Sequence, residues 1–268
     1  MTTLAALAAF VRRDWLVART YRFRLAMGFA GQLFQLATFF FLSRTVNPTT
    51  ASGIDGRGGY FGFVVAGLVM VGLASTGLTT FATRIDAERA GGSLEAMLTT
   101  PTSPAVLVIG TAAYGLCSAV LGALMMLAAA IVLFGFDVDA TPGTAVVAVV
   151  ALAATVVWVA GLGVVVAAFT LVVQRGSVIL QFATAALPLL GGVYFVVDTL
   201  PEPLETIARL FPFAWGLDAI RDSLAGERAD PAKLGLLILA AALMMPLALW
   251  IFEVGLRHVR RTGTLSHF

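Results

Sequence analysis

The chain has 268 residues, 59% of them hydrophobic and only 12% charged, with a mean hydropathy of +0.95; this excludes an ordinary soluble domain and describes an all-α, polytopic membrane protein. Its 17 basic and 15 acidic residues leave a formal charge of +2, too little for a nucleic-acid-binding surface over so much apolar chain. The single cysteine, Cys117, lies in an apolar run, has no internal disulfide partner and is expected to serve helix packing.

Residues 1–24 open the chain with Leu4, Leu7, Ala8, Val11, Trp15 and Ala18 at helical spacing, Arg12, Arg13, Asp14 and Arg19 elsewhere around the helix, and Thr2 or Thr3 placed as a cap. The arginines follow the apolar stretch instead of preceding it, so the segment does not read as a cleaved signal. It reads as an amphipathic helix on the cytoplasmic membrane surface, or one packed on its own bundle.

Six stretches then have the roughly 20 apolar residues needed to cross about 30 Å of hydrocarbon: 25–46, 60–83, 105–134, 144–173, 177–197 and 234–255. Positive charge is retained on the cytoplasmic side of a membrane. Arg12, Arg13, Arg19, Arg22 and Arg24 before the first span, Arg84 and Arg89 after the second, Arg175 after the fourth and Arg257, Arg260 and Arg261 after the last alternate as six spans require. Both termini are therefore expected in the cytoplasm.

The spans carry almost no ionisable residue away from their ends, where Arg44 and Glu253 sit, and neither His258 nor His267 is in a span. Ion-coupled carriers need carboxylates, histidines or charge pairs at membrane depth. This composition disfavours them and metal chemistry, although Na⁺ coupling through backbone carbonyls stays open. Energy for uphill transport would then come from ATP through a partner. The sole lysine, Lys233, follows Pro231 and Ala232, so the chain has no phosphate-cradling loop.

In the first span Gln32 and Gln35, three apart, are followed by Thr38 and Phe39-Phe40-Phe41; they line a substrate path or bond helices together. Gly67, Gly72 and Gly77 in the second span, and Gly110, Gly115 and Gly122 in the third, permit close helix approach.

The loop at 83–104 has its own punctuation. Arg84 to Ala90 reads as a short charged helix ended by Gly91 or Gly92, Ser93 can cap a second containing Leu94, Met97 and Leu98, and Pro101 and Pro104 end it. Mixed charge beside exposed Leu and Met suits a docking surface. The segment 198–232 is too polar to cross a membrane and too apolar to dangle in water. Pro201 and Pro203 suit a turn and helix start, Leu204, Ile207, Ala208 and Phe211 share a helical face, and Pro212 breaks it before a second piece containing Trp215. Two short helices dipping back into the outer leaflet would act as an external lid; a surface-lying connector is the alternative.

The order of three features resembles the permease subunit of ABC-2-type exporters. They are the charged loop with Gly91-Gly92-Ser93-Leu94-Glu95 and Thr100-Pro101 after it, the six spans with an Arg-rich start, and the late run Gly191-Gly192-Val193-Tyr194-Phe195, Leu200-Pro201, Phe211-Pro212-Phe213-Ala214-Trp215 and Ile220-Arg221. Ser93 stands where that family frequently has Thr, a neutral departure. The resemblance implies a domain at 25–268 working as one of two six-helix halves, with a second copy or a close homologue and two separate ATPase subunits that bind ATP and Mg; this chain carries no cofactor. It implies an interface helix at 1–24 using Arg12, Arg13 and Trp15. It assigns coupling to the ATPase to Arg84, Asp86, Glu88, Arg89, Gly92, Leu94 and Glu95, and an external gate to Pro201, Pro203, Phe211, Pro212 and Trp215, with Gln32, Gln35 and Phe39 as path candidates. The expected cargo is a hydrophobic or amphipathic drug, lipid or lipid-linked glycan. The Arg-rich, Lys-poor usage points to the inner membrane of a high-GC prokaryote. An ion-coupled carrier or channel is the competing expectation, and an intramembrane transferase or protease lacks a polar catalytic cluster.

Overall fold

The computed structural model describes residue 16 and residues 22–45, 59–90, 104–173 and 176–262. Arg12, Arg13 and Trp15 of the expected interface helix, and Gly92, Leu94 and Glu95 of the expected coupling loop, lie outside the described residues. Among the described residues all regular structure is helical: α1 (Arg22–Thr45), α2 (Gly59–Ala90), α3 (Pro104–Phe134), α4 (Pro142–Val173), α5 (Gly176–Leu190), a 3-10 turn (Val197–Thr199), α6 (Glu202–Arg209), α7 (Pro212–Leu224) and α8 (Pro231–Thr262). Four of these begin on a proline, whose missing N–H costs nothing in the first turn and whose fixed φ already suits a helix.

Among the described residues five helices, α1, α2, α3, α4 and α8, are long and apolar enough to cross a membrane. The expected fifth span is shorter than its apolar run at 177–197: α5 has 15 residues, about 22 Å of helix against about 30 Å of hydrocarbon. Conversely, the charged stretch Arg84 to Arg89 is not a separate short helix. It forms the last turns of α2, a single helix of 32 residues, because no glycine or proline lies between Gly77 and Gly91.

α2 and α4 form the centre. Buried residues make up 72% of the most apolar stretch of α2 and 56% of that of α4, against 6% for α1. Glycines set the approach: a Cβ on Gly163 of α4 would lie 2.8 Å from the Gly77 carbonyl oxygen of α2, and one on Gly161 would lie 2.7 Å from Met244 of α8. Such contacts let backbones close where lipid supplies no hydrophobic drive for association. Cys117 does not take part. It is exposed on α3, on the outward face that Leu121 and Leu124 share at helical spacing.

The helices alternate in direction. Phe40 at the end of α1, Phe61 at the start of α2 and Phe134 at the end of α3 meet with ring centroids 4.9 to 6.1 Å apart. At the same end the Asp139 N–H donates to the Leu224 carbonyl at 3.0 Å, joining the α3–α4 loop to the end of α7. The opposite end is closed by Phe81 of α2, Leu171 of α4 and Leu256 of α8 in a second core cluster.

Candidate functional site

The end of the molecule that carries α6 and α7 is built around a helix that stops inside the fold. α5 ends with Gly192 at φ +62°, the Val193 N–H donating to the Pro188 carbonyl at 3.1 Å and the Gly192 N–H to the Leu189 carbonyl at 3.3 Å. This is the paired-bond C-terminus that glycine favours, because a Cβ would be strained at that φ. Gly191, Gly192 and Val193 are buried. Gly191 lies under the Phe213 ring, and a Cβ on Gly67 of α2 would come within 2.7 Å of the Val193 carbonyl oxygen.

Chain that leaves a helix in a buried place presents carbonyls without intrahelical donors. Arg221 of α7 supplies them. It is 5% exposed, and its Nη2 donates to the carbonyls of Gly192 at 2.9 Å, Val193 at 3.1 Å and Phe63 at 3.2 Å, with Nε donating to the Phe63 carbonyl at 3.2 Å. Its guanidinium carbon stands 3.4 Å from the centre of the Phe63 ring, the stacked geometry that suits a planar cation. One side chain thus joins α7, the broken end of α5 and the start of α2.

The expected gate residues lie along α6 and α7 and at the corner between them. Pro201 caps α6 and Pro203 lies in its first turn, with Glu202 and Glu205 at the positive end of the helix and Arg209 at the negative end. Phe211 caps α7, Pro212 is its first residue, and Phe211 meets the Trp158 ring edge to face at 5.2 Å. The Trp215 indole N–H donates to the Arg209 carbonyl at 2.8 Å, closing the corner between α6 and α7. Arg209 pairs with Glu205 at 2.6 Å and Asp198 at 3.2 Å. Arg209 and Asp198 are 62% and 69% exposed, so solvent screens that pair to below about 1 kcal/mol. Of the expected inward face of α6 only Ala208 is buried; Leu204 and Ile207 are exposed.

The three path candidates do not converge. Gln32 enters a polar hollow of about 70 Å³ between α1, α2 and α3, beside Thr76 and Ser118, and its amide nitrogen fills the space left by Gly72 and Gly122, 4.0 and 3.7 Å from where their Cβ atoms would be. Gln35 is exposed. Phe39 stacks on Tyr194 beyond the end of α5, with centroids 5.4 Å apart and planes within 7°. A separate apolar hollow of about 210 Å³ lies between α2, α3, α4 and α7, lined by Val69, Leu127, Leu152 and Ile220 among others. Among the described residues no group of His, Cys, Asp and Glu could hold a metal ion.

The model of the ABC-2 type transporter family matches residues 5–225. The chain belongs to that family. No curated protein matches it. This ABC-2 chain is accordingly a membrane-embedded transport subunit, not itself catalytic, and the family works with an ATP-binding subunit. The match reaches through the broken α5 to the end of α7, so the Arg221 clasp lies within the family portion of the ABC-2 chain. Sequence reasoning named Arg221 only as the end of the Ile220-Arg221 run and gave it no role of its own. Its signal was a lone arginine on the helical face of Phe213, Ala214 and Leu217, where an apolar residue was due.

Proposed function

We propose that this ABC-2 chain is the permease half of an ATP-driven exporter in the inner membrane of a prokaryote, with both termini cytoplasmic, paired with a second copy or close homologue and with two copies of a separate ATPase. Five spans, the short α5 and the returning α6 and α7 are then a six-span domain whose external hairpin dips back from the surface. The observation that carries the reading, beside the family match, is that α2 runs unbroken from Gly59 to Ala90. Its 32 residues extend about 48 Å, well beyond the hydrocarbon. At one end stand Arg84, Asp86, Glu88 and Arg89; at the other, Phe63 is held by Arg221. A push delivered to the charged end by a nucleotide-driven ATPase reaches the gate through a single stiff element, with no loop to absorb it. The apolar hollow supports a hydrophobic or amphipathic cargo: a drug, lipid or lipid-linked glycan.

Affinity purification in nanodiscs tests this. A phosphate-loop ATPase should be recovered at equal stoichiometry, and the double charge reversal Glu88→Lys with Arg89→Glu should abolish the coupling of its hydrolysis to transport while the chain still inserts. A chain that purifies with no ATPase would favour an ion-coupled carrier or channel instead.

A further inference from the structure

The two helices of the external hairpin are held in different ways. α7 has eight buried residues of 13, and Arg221 anchors it through carbonyls of two other elements. Its Gly216 also lies directly on Thr155 of α4. α6 buries only Ala208. It is tethered by the Trp215 N–H on the Arg209 carbonyl and by the solvent-screened Arg209–Asp198 pair, the Arg209–Glu205 pair lying within α6 itself. Lifting α7 would break several buried, charge-assisted bonds and a stacked cation together. Lifting α6 breaks one neutral bond and one weak ion pair.

We propose that Arg221 is the positioning residue of the external gate: it binds α7 and the broken end of α5 to α2 as one body, and leaves α6 as the part of the hairpin that opens. The guanidinium suits this task because its planar fork reaches several carbonyls at once. The word gate here rests on the export reading; the division into a fixed α7 and an opening α6 does not.

The test uses the full chain in nanodiscs, where both faces are accessible, in a Cys117→Ser background. Single cysteines are placed at three buried alanines: Ala208→Cys under α6, Ala219→Cys in α7, and Ala167→Cys in α4 as a core reference. The probe is a charged maleimide. In the parent, Ala208→Cys should label at least about tenfold faster than Ala219→Cys, since exposure follows local opening free energy. Arg221→Met keeps the length but removes the donors; it should raise labelling at Ala219→Cys by about tenfold or more and leave Ala167→Cys protected. Arg221→Lys keeps the charge without the fork and should give an intermediate rise of about threefold. Should Arg221→Met fail to assemble, Arg221→Lys carries the test.

Equal labelling of Ala208→Cys and Ala219→Cys in the parent would overturn the proposal, as would unchanged Ala219→Cys labelling when Arg221 is replaced. A rise at Ala167→Cys as well would mean that Arg221 merely holds the fold together, which also overturns it. Labelling requires neither ATP nor a partner. Failure to recover an ATPase would therefore sink the export reading and leave this result standing.

Discussion

Gly216→Ala should show how closely α7 is seated on α4. The new methyl would land on the Thr155 hydroxyl oxygen. Thr155 is fully buried and donates that hydroxyl to the Ala151 carbonyl at 2.8 Å. Being β-branched, it has little rotamer freedom in a helix, and rotating away gives up the bond. Overpacking of this kind costs about 1–3 kcal/mol, while alanine in place of an interior glycine returns up to about 1 kcal/mol. The single variant is therefore destabilised by roughly 0–2 kcal/mol, a fall in Tm of up to about 6 °C for a chain of this size. Thr155→Ala alone loses a bond within its own helix, worth little, and leaves a methyl-sized void worth about 1 kcal/mol. In the double variant the new Cβ faces the Cβ of residue 155 and Leu237 Cδ2, both at 3.4 Å, an ordinary contact. The pair should thus return to within about 0.5 kcal/mol of the parent, a favourable coupling of about 1–3 kcal/mol. Thermal unfolding of the four proteins in nanodiscs measures it. Simple additivity would refute the account of how α7 is seated.

At the α5 terminus, Gly192→Ala places a side chain at φ +62° with Val197 Cγ2 only 2.6 Å away; it should cost about 2 kcal/mol or more, whereas Gly235→Ala, with nothing within 4 Å, should be neutral or stabilising by Tm. Gln32→Leu strips the polar hollow of its amide and should weaken association of α1 by about 0.6–1.7 kcal/mol, while Gln35→Leu, at an exposed site, should leave it unchanged; denaturant titration of the two variants compares them, and equal losses would mean that the hollow does not hold α1. Trp215→Phe keeps the ring but loses the donor to Arg209, so labelling at Ala208→Cys should rise about fivefold, the equivalent of about 1 kcal/mol; an unchanged rate would show that this bond does not hold α6.

Helix positions were legible because a bilayer leaves the chain few choices: every backbone polar group needs an internal partner, so an apolar run of sufficient length is a helix. Which helix lies at the centre was harder to read. α1 and α2 are both apolar, yet α2 is enclosed and α1 is not. Hydrophobicity cannot separate them, since lipid and protein interior are equally apolar. The discriminator is what the small residues meet. Gly67 and Gly77 of α2 lie against Val193 and Val159, whereas Gly28 and Gly31 of α1 have nothing within 4 Å. Both pairs look alike in one dimension, because a glycine shows that approach is possible and its partner's position decides whether it occurs. The charged end of α2 was misdivided for a related reason: Arg84 to Arg89 changes polarity, which reads as a boundary, but polarity alone does not interrupt a helical ladder.

Arg221 was the residue hardest to see, and its chemistry explains why. Sequence reasoning looks for ionisable groups inside spans, where a charge demands a function. The role of Arg221 is instead set by carbonyls that become orphaned only when α5 stops at Leu190 and the chain turns through Gly192. Those acceptors are backbone atoms and carry no residue code. The arginine and the Gly191-Gly192 break are therefore two halves of one feature, 29 residues apart between Gly192 and Arg221. Reading the break as a buried C-terminus in need of donors turns the next arginine on an apolar helical face into its expected partner. Phe63 completes the logic: its carbonyl and ring are both presented to the guanidinium at the start of α2, so the element that carries the charged residues at its far end is also the one on which the broken helix and α7 are fastened.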